Sequence, residues 1–155
     1  MKRPLHVGVI GAGACDSEIY ALAQEVGRKI AEKGWVLICG GLGGVMEAAA
    51  RGCVEAGGTS VGILPGLKAS EANPFIRIPI PTGLGEARNV LVVRASEALV
   101  AVSGGYGTLS EIALALKTGK SVIGLKTWPN IEHVQYAETT ARAVELVEKA
   151  LGDIS

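Results

Sequence analysis

In this 155-residue chain the groups capable of chemistry concentrate in one segment, Ser103-Gly-Gly-Tyr-Gly-Thr-Leu-Ser-Glu111. Backbone N–H groups at Gly104, Gly105 and Gly107, with the Thr108 hydroxyl, make a donor array of the kind that receives a phosphate at a helix N-terminus. Glu111 suits a sugar. It would bond ribose hydroxyls and stabilise an oxocarbenium-like centre as a glycosidic bond breaks. The same Thr108-x-x-Glu111 spacing is also a capping box, in which Glu111 instead bonds the backbone at the helix start. Arg88 falls in the predicted first turn of another helix, where a cation opposes the helix dipole by roughly 0.3–1 kcal/mol. That placement calls for an anionic partner, either Glu111 or a ligand. Glu86 and Asn89 flank Arg88, as contacts to a base or sugar or as solvated caps.

Two further glycine groups, Gly11/Gly13 and Gly40/Gly41/Gly43/Gly44, lie just after a predicted strand and just before a helix, as does the segment at Ser103. Strand C-termini line one edge of an open parallel sheet, where ligands bind near the topological switch point. Three glycine loops on that edge describe a cradle for a phosphate or a nucleotide. Met46 and Glu47 open the helix after the second loop, Met46 facing the core and Glu47 within reach of the site. Asp16 or Ser17 reads as an N-cap. His6 and His133 are isolated, and no metal site is expected from them.

These loops need elements to hold them. Short apolar runs predict strands at 5–10, 35–39, 60–64, 75–80, 98–102 and 121–125, with Pro79 restricting the fourth to an edge. Helical patterns fall at 17–33, 45–55, 86–95 and 108–117, with a terminal amphipathic helix over 134–151. Strands of about five residues alternating with helices specify βαβ units. The expectation is a single Rossmann-like domain over 1–155: α/β, three-layer and doubly wound, with a mostly parallel sheet.

Composition narrows the function. Lys plus Arg and Asp plus Glu are 15 each, which argues against a nucleic-acid protein with a basic face. Glycine, at 22 residues, is roughly double its usual share, without a period of three. Three cysteines with no C-x-x-C spacing argue against a disulfide framework or zinc site, and Cys39 and Cys53 read as core. No apolar run approaches a membrane span, and the start is too short for a signal-peptide core, so a cytoplasmic location is expected. A dinucleotide fingerprint fails twice: Asp16 stands at its third glycine, and the second strand ends Cys39-Gly40-Gly41 with no acid. No Walker motif opens a helix; Gly119-Lys120-Ser121 ends one.

The segment Ser103–Glu111 resembles the P-G-G-x-G-T-x-x-E signature of the lonely-guy (LOG) or "lysine decarboxylase-like" family. Gly40-Gly-Leu-Gly-Gly-Val-Met46 is similar to that family's G-G-x-x-G-x-M loop, and Val61-Gly-Ile-Leu-Pro65 to its third strand. Arg88 lies 16 residues before Gly104, where the family's M-H-x-R-K motif places its arginine. Ser103 replaces the family's Pro, and Gly85-Glu-Ala-Arg-Asn89 keeps only Arg of M-H-x-R-K. In these respects the chain is also similar to a sister group that includes molybdenum-cofactor carrier proteins.

The resemblance implies a Rossmann-like fold and one of two functions. The first is hydrolysis of the N-glycosidic bond of a nucleoside 5′-monophosphate. Arg88 and Glu111 would be the catalytic pair, with no metal or redox cofactor. The second is a non-catalytic carrier with the molybdenum cofactor, a phosphorylated pterin, as cargo. Binding residues in either case are Gly11, Gly13, Gly40, Gly41, Gly43, Gly44, Met46, Ser103, Gly104, Gly105, Tyr106, Gly107 and Thr108. The implied partners are a small phosphorylated ligand and further copies of the chain, as a homodimer or higher homo-oligomer, with no nucleic acid and no membrane. True decarboxylation is set aside, because pyridoxal phosphate chemistry needs a Schiff-base Lys in a dedicated site.

Overall fold

The computed structural model describes residues 2–152. Seven strands, β1 (His6–Gly11), β2 (Val36–Cys39), β3 (Ser60–Leu64), β4 (Ile78–Pro81), β5 (Ala98–Val102), β6 (Ser121–Leu125) and β7 (Gln135–Tyr136), form one sheet in the order β4-β3-β2-β1-β5-β6-β7. Every pairing is parallel. The central strands β3 and β5 are buried at every residue, as expected for parallel strands covered on both faces. The strand order reverses between β1 and β5, where Gly11 pairs with Val102. The two chain segments leaving these strands therefore start side by side, at the position where doubly wound sheets bind ligands.

Five helices sandwich the sheet: α1 (Ser17–Glu32), α2 (Val45–Glu55), α3 (Asn89–Ala95), α4 (Tyr106–Lys117) and α5 (Thr140–Gly152). One core joins α1, α2 and α5 to Val7, Val9, Leu37, Val100 and Ile123. The other joins Val92 and Val93 of α3 and Ile112 and Ala115 of α4 to Ile10, Ile38, Leu99 and Val122. Each fully buried Val, Leu or Ile contributes about 1.5–3 kcal/mol relative to exposure. Cys39 and Cys53 are buried free thiols, as the sequence suggested, and burial pushes them up to about 12 and about 11.

Two glycines serve packing instead of the ligand edge. A Cβ on Gly27 of α1 would stand 1.9 Å from the Ala49 carbonyl oxygen, and one on Gly52 of α2 1.9 Å from that of Gln24. Glycine lets the two helix backbones touch, which offsets its cost of about 0.5–1 kcal/mol in a helix interior.

Boundaries moved where tertiary contacts outcompeted local pattern. The terminal helix starts at Thr140, six residues later than the periodicity indicates, because β6 offers an open edge. Gln135 and Tyr136 pair with Ile123 and Gly124, and Thr139 then accepts from Arg142 N–H through its hydroxyl. The fourth strand is confined to Ile78–Pro81 and lies at the sheet edge, as Pro79 requires. The helix expected over 86–95 divides into a 3₁₀ turn at Gly85–Arg88 followed by α3. Among the described residues no helix is long and apolar enough to cross a membrane.

Candidate functional site

The two helices that follow the second and third glycine loops begin differently from α1. Asp16 closes α1, its Oδ1 accepting from Ile19 N–H at 2.8 Å. α2 and α4 are capped by Gly44 and Gly105, which bring no side-chain acceptor. At α4 the first-turn N–H groups of Tyr106, Gly107 and Thr108 precede any intrahelical acceptor and carry the positive end of the helix dipole. A cavity of about 180 Å³ lies beside this turn, at the β1–β5 switch point. Val9, Ile10, Gly11, Ala12, Gly13, Gly40, Met46, Arg88, Asn89, Gly105, Gly107, Thr108 and Glu111 line it.

All three glycine loops thus reach one cavity. Of the residues singled out from sequence, it gathers Gly11, Gly13, Gly40, Met46, Arg88, Gly105, Gly107, Thr108 and Glu111. Met46, read as core, is half-buried in its wall. Gly41, Gly43, Gly44, Ser103, Gly104 and Tyr106 are not part of the lining. Glu47 is not part of the lining and accepts from the Tyr20 hydroxyl at 3.2 Å. His6 lies at the far end of β1, its Nδ1 3.1 Å from the Ala95 carbonyl, and His133 is exposed. Asn89, flagged beside Arg88 as a base or sugar contact, also lines the cavity, whereas Glu86 does not. Val9, Ile10 and Ala12 complete the lining, and their only signal in the sequence is that they adjoin Gly11 and Gly13.

Arg88 and Glu111 are the charged groups of the wall, and both are more than nine-tenths buried. The Arg88 side chain lies across the end of β2. A Cβ on Gly40 would stand 2.9 Å from its Nη2 and 2.7 Å from Met46 Sδ, so only glycine leaves that path open. Its Nη1 donates to Asn89 Oδ1, whereas its Nε is buried and has no hydrogen-bond partner among the described residues. Such a donor costs about 1–3 kcal/mol until an acceptor arrives.

Glu111 does not form the capping contact its spacing suggested. α4 begins at Tyr106, so Thr108 is already its third residue and the capping box is not made. Among the described residues Glu111 has no hydrogen bond and no ion pair within 4 Å. Burial raises its carboxyl to about 7, against an opposing pull from the Arg88 charge. Near neutral pH it can therefore donate or accept a proton.

The third loop is strained. Ser103 has φ +55 and Gly104 φ +111. Proline is held near φ −65, so the Ser103 found in place of the family's Pro changes backbone conformation as well as side chain. Ser103 N–H donates to the Lys126 carbonyl at 3.0 Å, a bond proline also lacks.

The chain belongs to the SLOG cluster4 family, whose sequence profile matches residues 4–151. It is 55% identical over 140 residues to an uncharacterized protein of Archaeoglobus fulgidus, covering 90% of this chain and 92% of that one. It is 30% identical over 137 residues to a cytokinin riboside 5′-monophosphate phosphoribohydrolase of Mycobacterium tuberculosis, covering 78% of this chain and 70% of the relative. Its structure is similar to that of the molybdenum cofactor carrier protein of Chlamydomonas reinhardtii, with TM-score 0.89, 39% identity and coverage of 97% and 99%. The Rossmann-like α/β fold is common to this neighbour. The homologues include both a phosphoribohydrolase and a cofactor carrier.

Proposed function

We propose that this SLOG cluster4 protein binds a small phosphorylated ligand at the β1–β5 switch point and carries the molybdenum cofactor as cargo. The phosphate lies on the first turn of α4, against Gly105, Gly107 and Thr108, with the Arg88 guanidinium beside it. The observation that carries the reading is the Arg88 side chain, buried in the wall of a cavity built by all three glycine loops, with an Nε–H that has no hydrogen-bond partner among the described residues. A phosphate pairs with the Arg88 guanidinium and also benefits from the α4 dipole. The carrier reading is supported by near-complete coverage of a cofactor carrier and by Gly85-Glu-Ala-Arg-Asn89 at the M-H-x-R-K positions. The test is to load the purified protein from a molybdenum-cofactor extract, wash it, and assay oxidised pterin by fluorescence. Retained pterin in the wild type, lost in Arg88→Met, is expected. A folded wild type that retains none refutes the carrier.

One observation favours the second reading, phosphoribohydrolase. Glu111 is an unbonded carboxyl, raised to about 7, in the same cavity. In that reaction the C1′–N bond of a nucleoside 5′-monophosphate breaks, water adds its hydroxyl to C1′ and its proton goes to the base. Glu111 stabilises the positive charge at the sugar, as glycosidase carboxylates do. Incubation with AMP and other monophosphates should then release free base and ribose 5-phosphate. No release from a folded preparation excludes it.

A second copy of the chain covers the exposed apolar strip formed by Ile78 and Ile80 of β4 with Leu67 and Leu84. An uncovered apolar edge strand invites aggregation, and a homo-oligomer removes it. Sedimentation as a dimer or larger species is expected, and a monomer at micromolar concentration contradicts it.

A further inference from the structure

The cavity of about 180 Å³ lies below the ~300–1,000 Å³ of pockets that enclose a drug-sized ligand. It accommodates a phosphate and the group next to it. A flat bicyclic ring attached to them extends past the mouth. What lies there is aromatic. Gly105 and Gly107 line the cavity, and Tyr106 between them is 83% exposed. Its ring stands against that of Trp128, with centroids 5.7 Å apart and planes tilted by 34°. Two of the chain's six aromatic residues thus meet beside the phosphate cradle.

Trp128 is tied to the cradle. Its Nε1 donates to the Gly105 carbonyl at 3.0 Å, and the adjacent Thr127 hydroxyl donates to the Ser103 carbonyl at 2.7 Å. A hollow of about 320 Å³, lined in part by Trp128 and Lys126, opens next to it. Among the described residues the Tyr106 hydroxyl has no hydrogen bond. An exposed, unbonded tyrosine ring held at a fixed distance from an anion site offers a stacking face without a matching structural role.

We propose that the Tyr106–Trp128 pair is the ring-stacking platform of this site, selecting phosphate esters that carry a flat heteroaromatic bicycle, a pterin or a purine. This rests on the phosphate reading given above. Stacking is tolerant of ring identity, since any such ring presents a π-face, so hydrogen bonds made elsewhere would choose between the two classes.

The probes are ribose 5-phosphate, AMP, GMP and neopterin 3′-phosphate, titrated by calorimetry and by tryptophan emission. At least one ring-bearing probe should bind about 10-fold more tightly than ribose 5-phosphate and quench Trp128. The quench should vanish in Trp128→Phe. Tyr106→Ala should bring that probe down to the affinity that the same variant shows for ribose 5-phosphate, and Tyr106→Phe should retain the gain. Equal affinities across all probes in the wild type, or an unaltered preference in Tyr106→Ala, overturn the platform while leaving the phosphate site standing. Failure of ribose 5-phosphate and every other probe to bind overturns the site reading, and the platform with it.

Discussion

Replacing Glu111 by Gln should change how stability depends on pH. The carboxyl is raised from 4.5 to about 7 in the folded protein because it is buried, and the Arg88 charge only partly opposes this. The folded state therefore holds the Glu111 proton over a range where the unfolded chain has lost it. A raised folded-state value contributes stability that is complete below the unfolded value and is lost as pH rises through about 7. The gap of about 2.5 pH units corresponds to roughly 3.4 kcal/mol at 1.36 kcal/mol per unit. Between about pH 5 and about pH 8.5 the wild type should thus lose about 2.5 kcal/mol relative to Glu111→Gln, whose amide does not titrate. Every other titratable group is common to both proteins and cancels in the difference. Urea unfolding at a series of pH values measures both curves. The two should lie closest below about pH 4.5, diverge between about pH 5 and about pH 7, and keep a constant gap above about pH 8, with the variant the more stable. Parallel curves would refute the idea that Glu111 is held desolvated without a compensating partner.

Arg88→Gln should raise the Glu111 carboxyl further, since Arg88 provides the opposing pull, and this is observable by titrating the carboxyl carbon by NMR. Phosphate ester binding should fall in the same variant by at least 10-fold, the equivalent of about 1.4 kcal/mol for one charge-assisted contact. Gly40→Ala should displace the Arg88 guanidinium and Met46, costing about 1–3 kcal/mol of stability by overpacking and weakening ligand binding together. Lys120 donates to the carbonyls of Val93, Arg94 and Ser96 at the end of α3, so Lys120→Met should lower the urea midpoint by about 1–3 kcal/mol in stability terms. Asp16→Ala removes the α1 cap and should cost about 1 kcal/mol without affecting ligand affinity, because Asp16 is not part of the cavity lining.

The strand-to-helix alternation and the glycine loops could be read from the sequence because both arise locally. A five-residue apolar run such as Ala98–Val102 suits a strand buried on both faces wherever it occurs. A glycine after it admits the tight approach of a helix N-terminus. Arg88 stood out as a charge at a helix position where local electrostatics expects a partner, and Glu111 through its spacing from the third glycine loop. The start of α5 was misread because its pattern is local but its competitor is not: β6 draws Gln135 and Tyr136 into the sheet. Gly27 and Gly52 look like any other glycines until α1 and α2 are laid against each other.

Tertiary structure alone decided the state of the site. Desolvation of Glu111 depends on strands and helices closing around it, and no spacing in the chain encodes it. The unsatisfied Arg88 Nε is visible only once every neighbouring acceptor has been placed. Tyr106 and Trp128, 22 positions apart in the chain, become a pair because β5 and β6 run parallel and end together. Local chemistry chose which residues face the ligand edge, and packing set their charge, their partners and the room left between them.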